Sequence, residues 1–365
     1  MKNEYELNLS VNAIFGCGKR NLLHEKLAQF ERKMLICGNH FHKSTVFAEL
    51  FGNRQDYTVH ICQSQEPTLG MVQNALDTAR NCKANAIVAI GGGSVMDLEK
   101  SVAALVNQDG DIRDYFYCRR EFEQERTFFC ALPTSAGTGA EVTPNAVLTD
   151  EQNNIKQSLR GSACGVDLAI VDPELTYDCP LHIIQQSGMD SLTQALEGAI
   201  SNKANSVTFA WSMQAFRLVF DNLKTACLGD KAAKNYVAEG TMLGAMAFVH
   251  SGLGAVHGLA HPIGSLYHLP HGFVCGVLLP HVLKINRAFL NDVVCNYYGN
   301  SGSAERLIAD IEKLAEAMHI PKNLNGYLKR EDFDFILANC RSGSMKCNPV
   351  ALSDDDIVKL LEELL

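Results

Sequence analysis

The chain has 365 residues, of which 47% are hydrophobic, and this size and composition predict two globular domains with large buried cores. Its formal net charge of −9 is spread along the sequence without a basic block, which argues against a nucleic-acid or an anionic-membrane surface. No apolar stretch is long enough to span a bilayer and the first residues are polar, so we expect a cytoplasmic protein that binds small molecules.

The first half of the chain alternates short β-branched apolar runs with amphipathic helical stretches. Strands are predicted at residues 33–37, 57–61 and 86–90, and helices lie between them at residues 46–51 and 68–81. This alternation is typical of a parallel sheet covered by helices, so the sequence predicts a Rossmann-like α/β fold in this region.

Strand signals end near residue 178, and helical periodicity broken by glycines continues to Leu365. We therefore predict an α/β domain at residues 1–180 and an all-α domain at residues 181–365. The last segment, residues 353–365, begins with Ser-Asp-Asp-Asp and then alternates apolar and charged positions, which predicts a capped terminal helix.

The cysteines do not indicate a disulfide framework. There are thirteen, an odd number, and they are scattered without a Cys-x-x-Cys pair or a signal peptide. We expect reduced, mostly buried thiols. Because their spacing offers neither a thiolate zinc site nor an iron–sulfur cluster, a metal in this protein is expected to be held by histidine and carboxylate.

Two glycine-rich loops follow predicted strands. The first contains Gly91, Gly92, Gly93, Ser94 and Asp97 and leads into a helical stretch. At such a junction, free backbone N–H groups and the helix dipole favour a phosphate or pyrophosphate. A tight structural turn is the alternative, since a glycine triplet alone is weak evidence.

The second loop follows a strand-like run at residues 128–132 and contains Thr134, Ser135 and Thr138 among glycines. Its hydroxyls and backbone amides can grip a nucleotide or nicotinamide, or the loop is simply a turn. Together the loops lie at the carboxyl ends of neighbouring strands, where open α/β sheets bind ligands. The pair therefore predicts a dinucleotide site in the first domain.

Three histidines are concentrated in the helical half. His257 and His261 are four positions apart, so on a helix they share a face, and His271 follows a turn punctuated by prolines. This spacing suits a metal site or a proton relay. The alternative is a buried histidine pair satisfied by backbone carbonyls.

Five motifs, in the same order along the chain, resemble those of the iron-containing (group III) alcohol dehydrogenase family. They are Gly91-Gly92-Gly93-Ser94 with Asp97, Pro133-Thr134 through Gly139 with Glu141, Val171-Asp172-Pro173-Glu174-Leu175, Gly188-Met189-Asp190, and His257 through Pro262 with Pro270-His271-Gly272. The resemblance implies a dinucleotide-binding domain and a helical domain. It also implies that the protein interconverts small alcohols and aldehydes with NAD(H) or NADP(H). Many members of the family form dimers or larger homo-oligomers, so the resemblance implies such an assembly here.

The same resemblance implies a ligand set for a divalent metal, iron or zinc. Asp190, His257 and His271 match ligands, whereas Gln194 occupies the position of a further ligand histidine, and His261 matches a nearby non-ligand histidine assigned to proton movement. A neutral amide oxygen is a poorer ligand than imidazole for iron or zinc. We expect a site that holds metal weakly, prefers another divalent ion, completes its shell with substrate, or has lost the metal.

The resemblance also bears on the cofactor. Asn39 lies where many members have an aspartate that repels a 2′-phosphate, and Lys43 and two histidines follow it. This favours NADP(H) slightly over NAD(H), unless the cations simply face solvent. Lys156 matches a position near the nicotinamide or its phosphates, and Asp97 one that supports the glycine loop.

We therefore predict an NAD(P)-dependent alcohol dehydrogenase or aldehyde reductase acting on a small polar aldehyde. Dehydroquinate-synthase-like and glycerol-dehydrogenase-like proteins share the architecture, but their motifs match this sequence less well. The alternative from another class is a nucleotide-binding member in which Gln194 marks a lost or altered metal site without alcohol dehydrogenase turnover.

Overall fold

A computed structural model describes residues 4–62, 66–153 and 155–365. The chain forms two compact units. The first consists of Leu9–Ser135 and Gly139–Asp178. The second consists of Cys179–Leu365, with Ala136–Thr138 and the described residues up to Asn8. The short segment Ala136–Thr138 thus belongs to the helical unit, although the residues on either side of it in sequence belong to the α/β unit.

The described residues of the first unit form eight strands. In chain order they are β1 (Asn12–Phe15), β2 (Lys33–Gly38), β3 (Tyr57–Cys62), β4 (Ala86–Gly91), β5 (Phe128–Pro133), β6 (Asn145–Asp150), β7 (Ile155–Arg160) and β8 (Leu168–Val171). Six of them form a parallel sheet in the order β1-β8-β5-β4-β2-β3, and β6 pairs antiparallel with β7. Every residue of β4 is buried, as expected for a central parallel strand covered on both faces.

The strand order reverses beside β2. From β2 the chain goes outward to β3, and it then continues on the opposite side of β2 with β4 and β5. The carboxyl ends of β2 and β4 therefore diverge into different loops. Open α/β sheets bind ligands at such a reversal point.

Helices connect these strands in the described part of the first unit. They are α1 (Leu23–Lys26), α2 (Asn39–His42), α3 (Thr45–Phe51), α4 (Leu69–Asn81), α5 (Gly93–Leu105) and α6 (Ile112–Phe116). Ser44 and Thr68 cap α3 and α4 by accepting hydrogen bonds from backbone N–H groups of the first turn. The elements predicted at residues 33–37, 46–51, 57–61, 68–81 and 86–90 are all present.

The second unit is helical over its described residues. Its helices are α7 (Leu181–Ile200), α8 (Ser206–Cys227), α9 (Lys231–Ser251), α10 (Ala255–Tyr267), α11 (His271–Ile285), α12 (Asn291–Tyr298), α13 (Ala304–Ala317), α14 (Phe333–Asn339) and α15 (Asp354–Glu363). Every residue of α7 from Gly188 to Ile200 is buried, so this helix is central to the unit. Ser353 forms a capping box with Asp356 at the start of α15, where a capped helix was predicted.

In the described part of the chain, no helix alone has both the length and the apolar character to cross a membrane. The helices Lys231–Ser251 and Ala255–Tyr267 reach that length and apolar character only when they are taken together, and the chain bends by 103° between them. All thirteen cysteines lie in the described regions, and none of them forms a disulfide bond there.

Candidate functional site

The first glycine loop joins β4 to α5. Gly92 is the N-cap of α5, and within the described residues no side chain caps this helix, so the N–H groups of its first turn are free to face an anion. A Cβ atom at Gly91 would lie 2.5 Å from the side chain of Val95. Glycine is therefore required for the strand to turn this tightly into the helix that carries Ser94 and Asp97.

The second loop lies beside the first. The Thr134 N–H donates a 2.9 Å hydrogen bond to the carbonyl of Gly91, and the Ser135 hydroxyl lies 3.3 Å from where a Cβ of Gly92 would be. The structure therefore brings these two predicted loops together at neighbouring strand ends. Thr138, by contrast, groups with the helical unit.

A cavity of about 510 Å³ opens at the point where the strand order reverses. It is lined by the residues that follow β2, by the glycine loop and by the start of the second loop. These residues are Gly38, Asn39, His40, Phe41, Ile90, Gly91, Gly92, Val95 and Thr134. Four predicted cofactor-binding residues, Asn39, Gly91, Gly92 and Thr134, thus share one cavity. It has the position and the backbone donors that a dinucleotide phosphate needs.

Asp97 and Lys156 are not among the residues that line this cavity. Asp97 accepts a 3.1 Å hydrogen bond from the Val147 N–H and pairs with Lys100 at 3.3 Å, so it fastens α5 to β6. Burial raises the pKa of Asp97, and the neighbouring Lys100 ammonium opposes that rise. Lys156 forms an ion pair with Glu66.

A second group of side chains converges in the helical unit. Asp190 comes from α7, His257 from α10, and His271 and Cys275 from α11, and their ligand atoms all lie within 4.8 Å of one another. Asp190 Oδ1 is 3.2 Å from His257 Nε2 and 3.7 Å from His271 Nε2. His271 Nε2 is 3.5 Å from Cys275 Sγ. Carboxylate, imidazole and thiolate are all ligands of divalent transition metals.

A glycine at the start of α11 allows α7 and α11 to approach each other closely at this cluster. A Cβ atom at Gly272 would lie 2.1 Å from the carbonyl oxygen of Gln186 and 3.3 Å from the Asp190 Cβ. Any larger residue would push the start of α11 away from α7. His271 and Cys275 flank this glycine, so the close contact places both beside Asp190.

Glu197 orients the buried imidazole of His257. Its carboxylate accepts a 2.7 Å hydrogen bond from His257 Nδ1 and further bonds from the N–H groups of Gly254 and Val256 at 2.9 and 2.7 Å. The proton on Nδ1 leaves Nε2 available as a ligand beside Asp190. A carboxylate behind a ligand histidine is the usual support of metal sites in proteins.

The electrostatics of the cluster favour positive charge. Burial alone would lower the pKa of His257, but the carboxylates of Asp190 and Glu197 raise it to about 10. Burial would likewise raise the pKa of Asp190, yet His271 and His257 hold it below its ordinary value. A divalent cation would satisfy the same carboxylates that otherwise stabilise a protonated imidazole.

Gln194 lies one helical turn after Asp190 on α7 and is 4% exposed. Its Oε1 atom is buried and has no hydrogen-bond partner among the described residues. Leaving a buried amide oxygen unpaired is unfavourable, and a cation is one partner that would satisfy it. The donor set and this orphaned oxygen therefore fit a metal ion.

His261 lies beside the cluster. Its half-buried ring stacks on that of His271, with ring centroids 5.0 Å apart and an angle of 24° between the planes. The three histidines of the sequence motif are therefore gathered in space. Pro262 does not end the helix, because α10 continues through it to Tyr267.

Two members of this site were not identified from the sequence. Cys275 adds a thiol to a predicted set of imidazole, carboxylate and the Gln194 amide, and Glu197 supports His257. Helical spacing carried a signal for both, since Cys275 is one turn after His271 and Glu197 is two turns after Asp190.

Comparison with known protein families identifies the chain. Residues 10–173 match the family described as iron-containing alcohol dehydrogenase, and residues 184–365 match the C-terminal region of the Fe-containing alcohol dehydrogenase family. The chain belongs to the iron-containing alcohol dehydrogenase family. Alcohol dehydrogenase 4 of Schizosaccharomyces pombe is 31% identical over 323 residues, which are 85% of this chain and 76% of that relative.

Solved structures of this family have the same fold. Sulfoacetaldehyde reductase from Bifidobacterium kashiwanohense, in complex with NAD+, has a TM-score of 0.94 and 25% identity over 100% of this chain and 99% of its own. A 1,3-propanediol oxidoreductase has a TM-score of 0.91 and 28% identity over 100% of both chains. The predicted fold class is confirmed, and so is the predicted enzyme class, a nicotinamide-dependent oxidoreductase acting on CH–OH groups.

Proposed function

We propose that this enzyme interconverts a small polar aldehyde and its alcohol, with a dinucleotide bound by residues 1–180 and a divalent cation and the substrate bound by residues 181–365. The convergence of Asp190, His257 and His271 on one buried point carries this proposal. The names of the two structural relatives, a sulfoacetaldehyde reductase and a 1,3-propanediol oxidoreductase, support a small polar substrate.

The cofactor would be held mainly at the reversal point of the sheet. We assign the phosphates to the backbone of Gly91, Gly92, Gly93 and Ser94, with the hydroxyls of the second loop as further donors. Those hydroxyls are Thr134, Ser135 and Thr138. Lys156 is assigned to the nicotinamide end, and Asp97 supports the loop by fastening α5.

We propose that NADP(H) is accepted as well as NAD(H), and that it is preferred. Among the described residues that line the cavity, none carries a carboxylate that would repel a 2′-phosphate. The lining also includes His40, whose imidazole does not repel a phosphate. Comparing kcat/KM for NADPH and NADH tests this proposal. Asn39→Asp should reduce kcat/KM with NADPH by at least about tenfold through charge repulsion. A clear preference of the unmodified enzyme for NADH would contradict it.

Asp190, His257 and His271 would hold the cation, iron or zinc, and Gln194 offers its unpaired amide oxygen. A divalent cation bound there supplies a Lewis acid that polarises a carbonyl oxygen. Glu197 keeps the Nε2 atom of His257 free, and we assign His261, which is half-buried beside His271, to the transfer of the hydroxyl proton.

A turnover assay tests this function. The purified protein is mixed with NADPH or NADH, with Fe²⁺, Zn²⁺, Mn²⁺ or Mg²⁺, and with a panel of short aldehydes, and nicotinamide absorbance is followed. We expect metal-dependent oxidation of the cofactor, which Asp190→Asn abolishes and the exposed-site control Asp355→Asn preserves. Dinucleotide binding without oxidation across the panel would instead support the nucleotide-binding alternative that lacks turnover.

On the family resemblance we propose a homodimer, and on the composition of the chain we propose a location in the cytoplasm. Light scattering of the purified protein tests the assembly, and a monomer at working concentration would contradict it. Localisation of a tagged chain tests the compartment.

A further inference from the structure

The Cys275 thiol belongs to the cluster, yet the proposed function does not use it. We propose that Cys275 binds the cation as a thiolate, that it compensates only in part for the imidazole missing at Gln194, and that the site therefore selects a thiophilic ion such as Zn²⁺ over Mg²⁺ or Mn²⁺. This inference rests on the proposed function, because it requires a cation at Asp190, His257 and His271.

Three separations between the donor atoms are compatible with ligands of one zinc ion. For zinc, bond lengths of about 2.0–2.2 Å to nitrogen or oxygen and about 2.3 Å to sulfur place neighbouring N and O donors about 3.4 Å apart, and N and S donors about 3.6 Å apart. The separations from Asp190 Oδ1 to His257 and His271 are 3.2 and 3.7 Å, and that from His271 Nε2 to Cys275 Sγ is 3.5 Å. The remaining pairs of donor atoms lie within 4.8 Å of one another, so the four side chains can converge on one ion.

The backbone fixes Cys275 in this position. It is fully buried on α11, one helical turn after His271, and the contact of Gly272 with α7 holds that turn against Asp190. Cys275 is therefore not an isolated thiol on the surface. The orphaned Oε1 atom of Gln194, on the α7 face that carries Asp190, points independently to a missing positive partner.

Charge and donor chemistry favour sulfur over the amide oxygen. A dication in a buried site is better neutralised by Asp190 and a thiolate than by Asp190 alone. The thiol proton is released to solvent as the sulfur–metal bond forms. Thiolate ligands favour zinc, whereas Mg²⁺ and Mn²⁺ prefer oxygen donors, so one cysteine changes which ion the site retains.

Cobalt substitution tests the proposal. Metal is removed from the full-length protein with a chelator, Co²⁺ is added, and bound cobalt is measured by elemental analysis together with the absorption spectrum. We expect a thiolate-to-cobalt charge-transfer band in the near ultraviolet. Cys275→Ser should lose this band, and Cys340→Ser, a change at another buried cysteine outside the cluster, should keep it.

X-ray absorption of the zinc-loaded unmodified protein provides a second test that needs no variant. We expect one sulfur neighbour at about 2.3 Å. Cys275→Ser should also weaken Zn²⁺ binding by more than about tenfold in chelator competition. Bound metal without a sulfur neighbour, or a charge-transfer band that survives in Cys275→Ser, would overturn this inference alone. Failure to bind any cation would overturn the metal assignment of the proposed function as well.

Discussion

Glu197 connects the metal cluster to the backbone of α10. Its carboxylate accepts hydrogen bonds from two N–H groups at the start of that helix and one from the imidazole of His257. A Cβ atom at Gly254 would lie 2.7 Å from Glu197 Oε1, so the glycine makes room for this contact. The orientation of one ligand therefore depends on a residue that would not itself touch the cation.

Glu197→Gln should weaken metal binding without removing a ligand. An amide accepts through only one atom, so the ring of His257 loses its fixed orientation, and affinity for Zn²⁺ should fall roughly 10–100-fold. Competition with a chromogenic chelator measures the change. Glu316→Gln, on the exposed face of α13, is the control and should leave affinity unchanged. Equal affinity in the two variants would refute the role of Glu197.

Gln194→His should strengthen metal binding. Imidazole is a better donor than an amide oxygen for zinc or iron, and position 194 lies one turn from Asp190. We expect metal content after purification to rise towards one ion per chain, and affinity to rise by at least about tenfold, the scale of changes around metal-bound side chains. If the unmodified protein already held one metal ion per chain that a chelator could not remove, the weak metal binding on which this prediction depends would be contradicted.

The family motifs predicted Asp190, Gln194 and the three histidines as site residues, and the structure brings Asp190, His257 and His271 together with His261 beside them. The motifs did not identify Cys275 or Glu197, whose roles depend on how α7, α10 and α11 pack. A cysteine or glutamate at helical spacing is common in any buried helix. The packing of α11 on α7, which glycine at position 272 permits, places Cys275 beside Asp190.

At the scale of elements, β2, β3, β4 and β5 were predicted, whereas β1, β8 and the antiparallel pair β6 and β7 were not. β2, β4 and β5 have six residues each and carry continuous apolar runs that bury almost completely. β1 and β8 have only four residues each, so they offer too few positions for a pattern to emerge. These two strands form because β1 pairs with β8 and β8 pairs with β5, and such long-range pairing cannot be read from the local sequence.

The packing of α11 on α7 should not tolerate a methyl group at position 272. Gly272→Ala should lower the free energy of unfolding by about 1–3 kcal/mol through overpacking and reduce metal affinity as well. Urea denaturation and chelator competition measure the two effects. Gly244→Ala is the matched control, because its Cβ would lie at an ordinary 3.4 Å from Ala215 and alanine favours helix. A Gly272→Ala protein as stable as this control would contradict the close approach.

For the molecule as a whole, Glu141 should make stability depend on pH. Burial raises the pKa of Glu141 from 4.5 to about 7 in the folded protein. The folded state therefore holds this proton more tightly than the unfolded state. The contribution to stability is complete below about pH 4.5, decreases as pH rises, and is lost above about pH 7.

Glu141→Gln removes that titration. The Tm of the variant minus the Tm of the unmodified protein should therefore increase between about pH 4.5 and about pH 7, the range fixed by the two pKa values, and stay constant above it. Thermal unfolding across this range measures the difference. Glu316→Gln, at an exposed position, should show a difference that does not change with pH. A constant offset for Glu141→Gln would contradict the raised pKa.

The pairing of β1 with β8 also bears on how the chain is made. Asn12 lies opposite Leu168, and Asp172 accepts hydrogen bonds from the backbone of Gly18 and Arg20. The first strand therefore cannot pair until β8, which is translated much later, has been made. At 5–20 residues per second, the ribosome needs roughly 10–30 s to deliver it. The edge of β5 that β8 covers is unpaired for a shorter time, because β5 ends at Pro133 and only roughly 40 residues separate it from the end of β8, which is about 2–8 s at the same rate. An unpaired strand edge can pair with other chains, so a chaperone bound during this interval would protect the nascent chain.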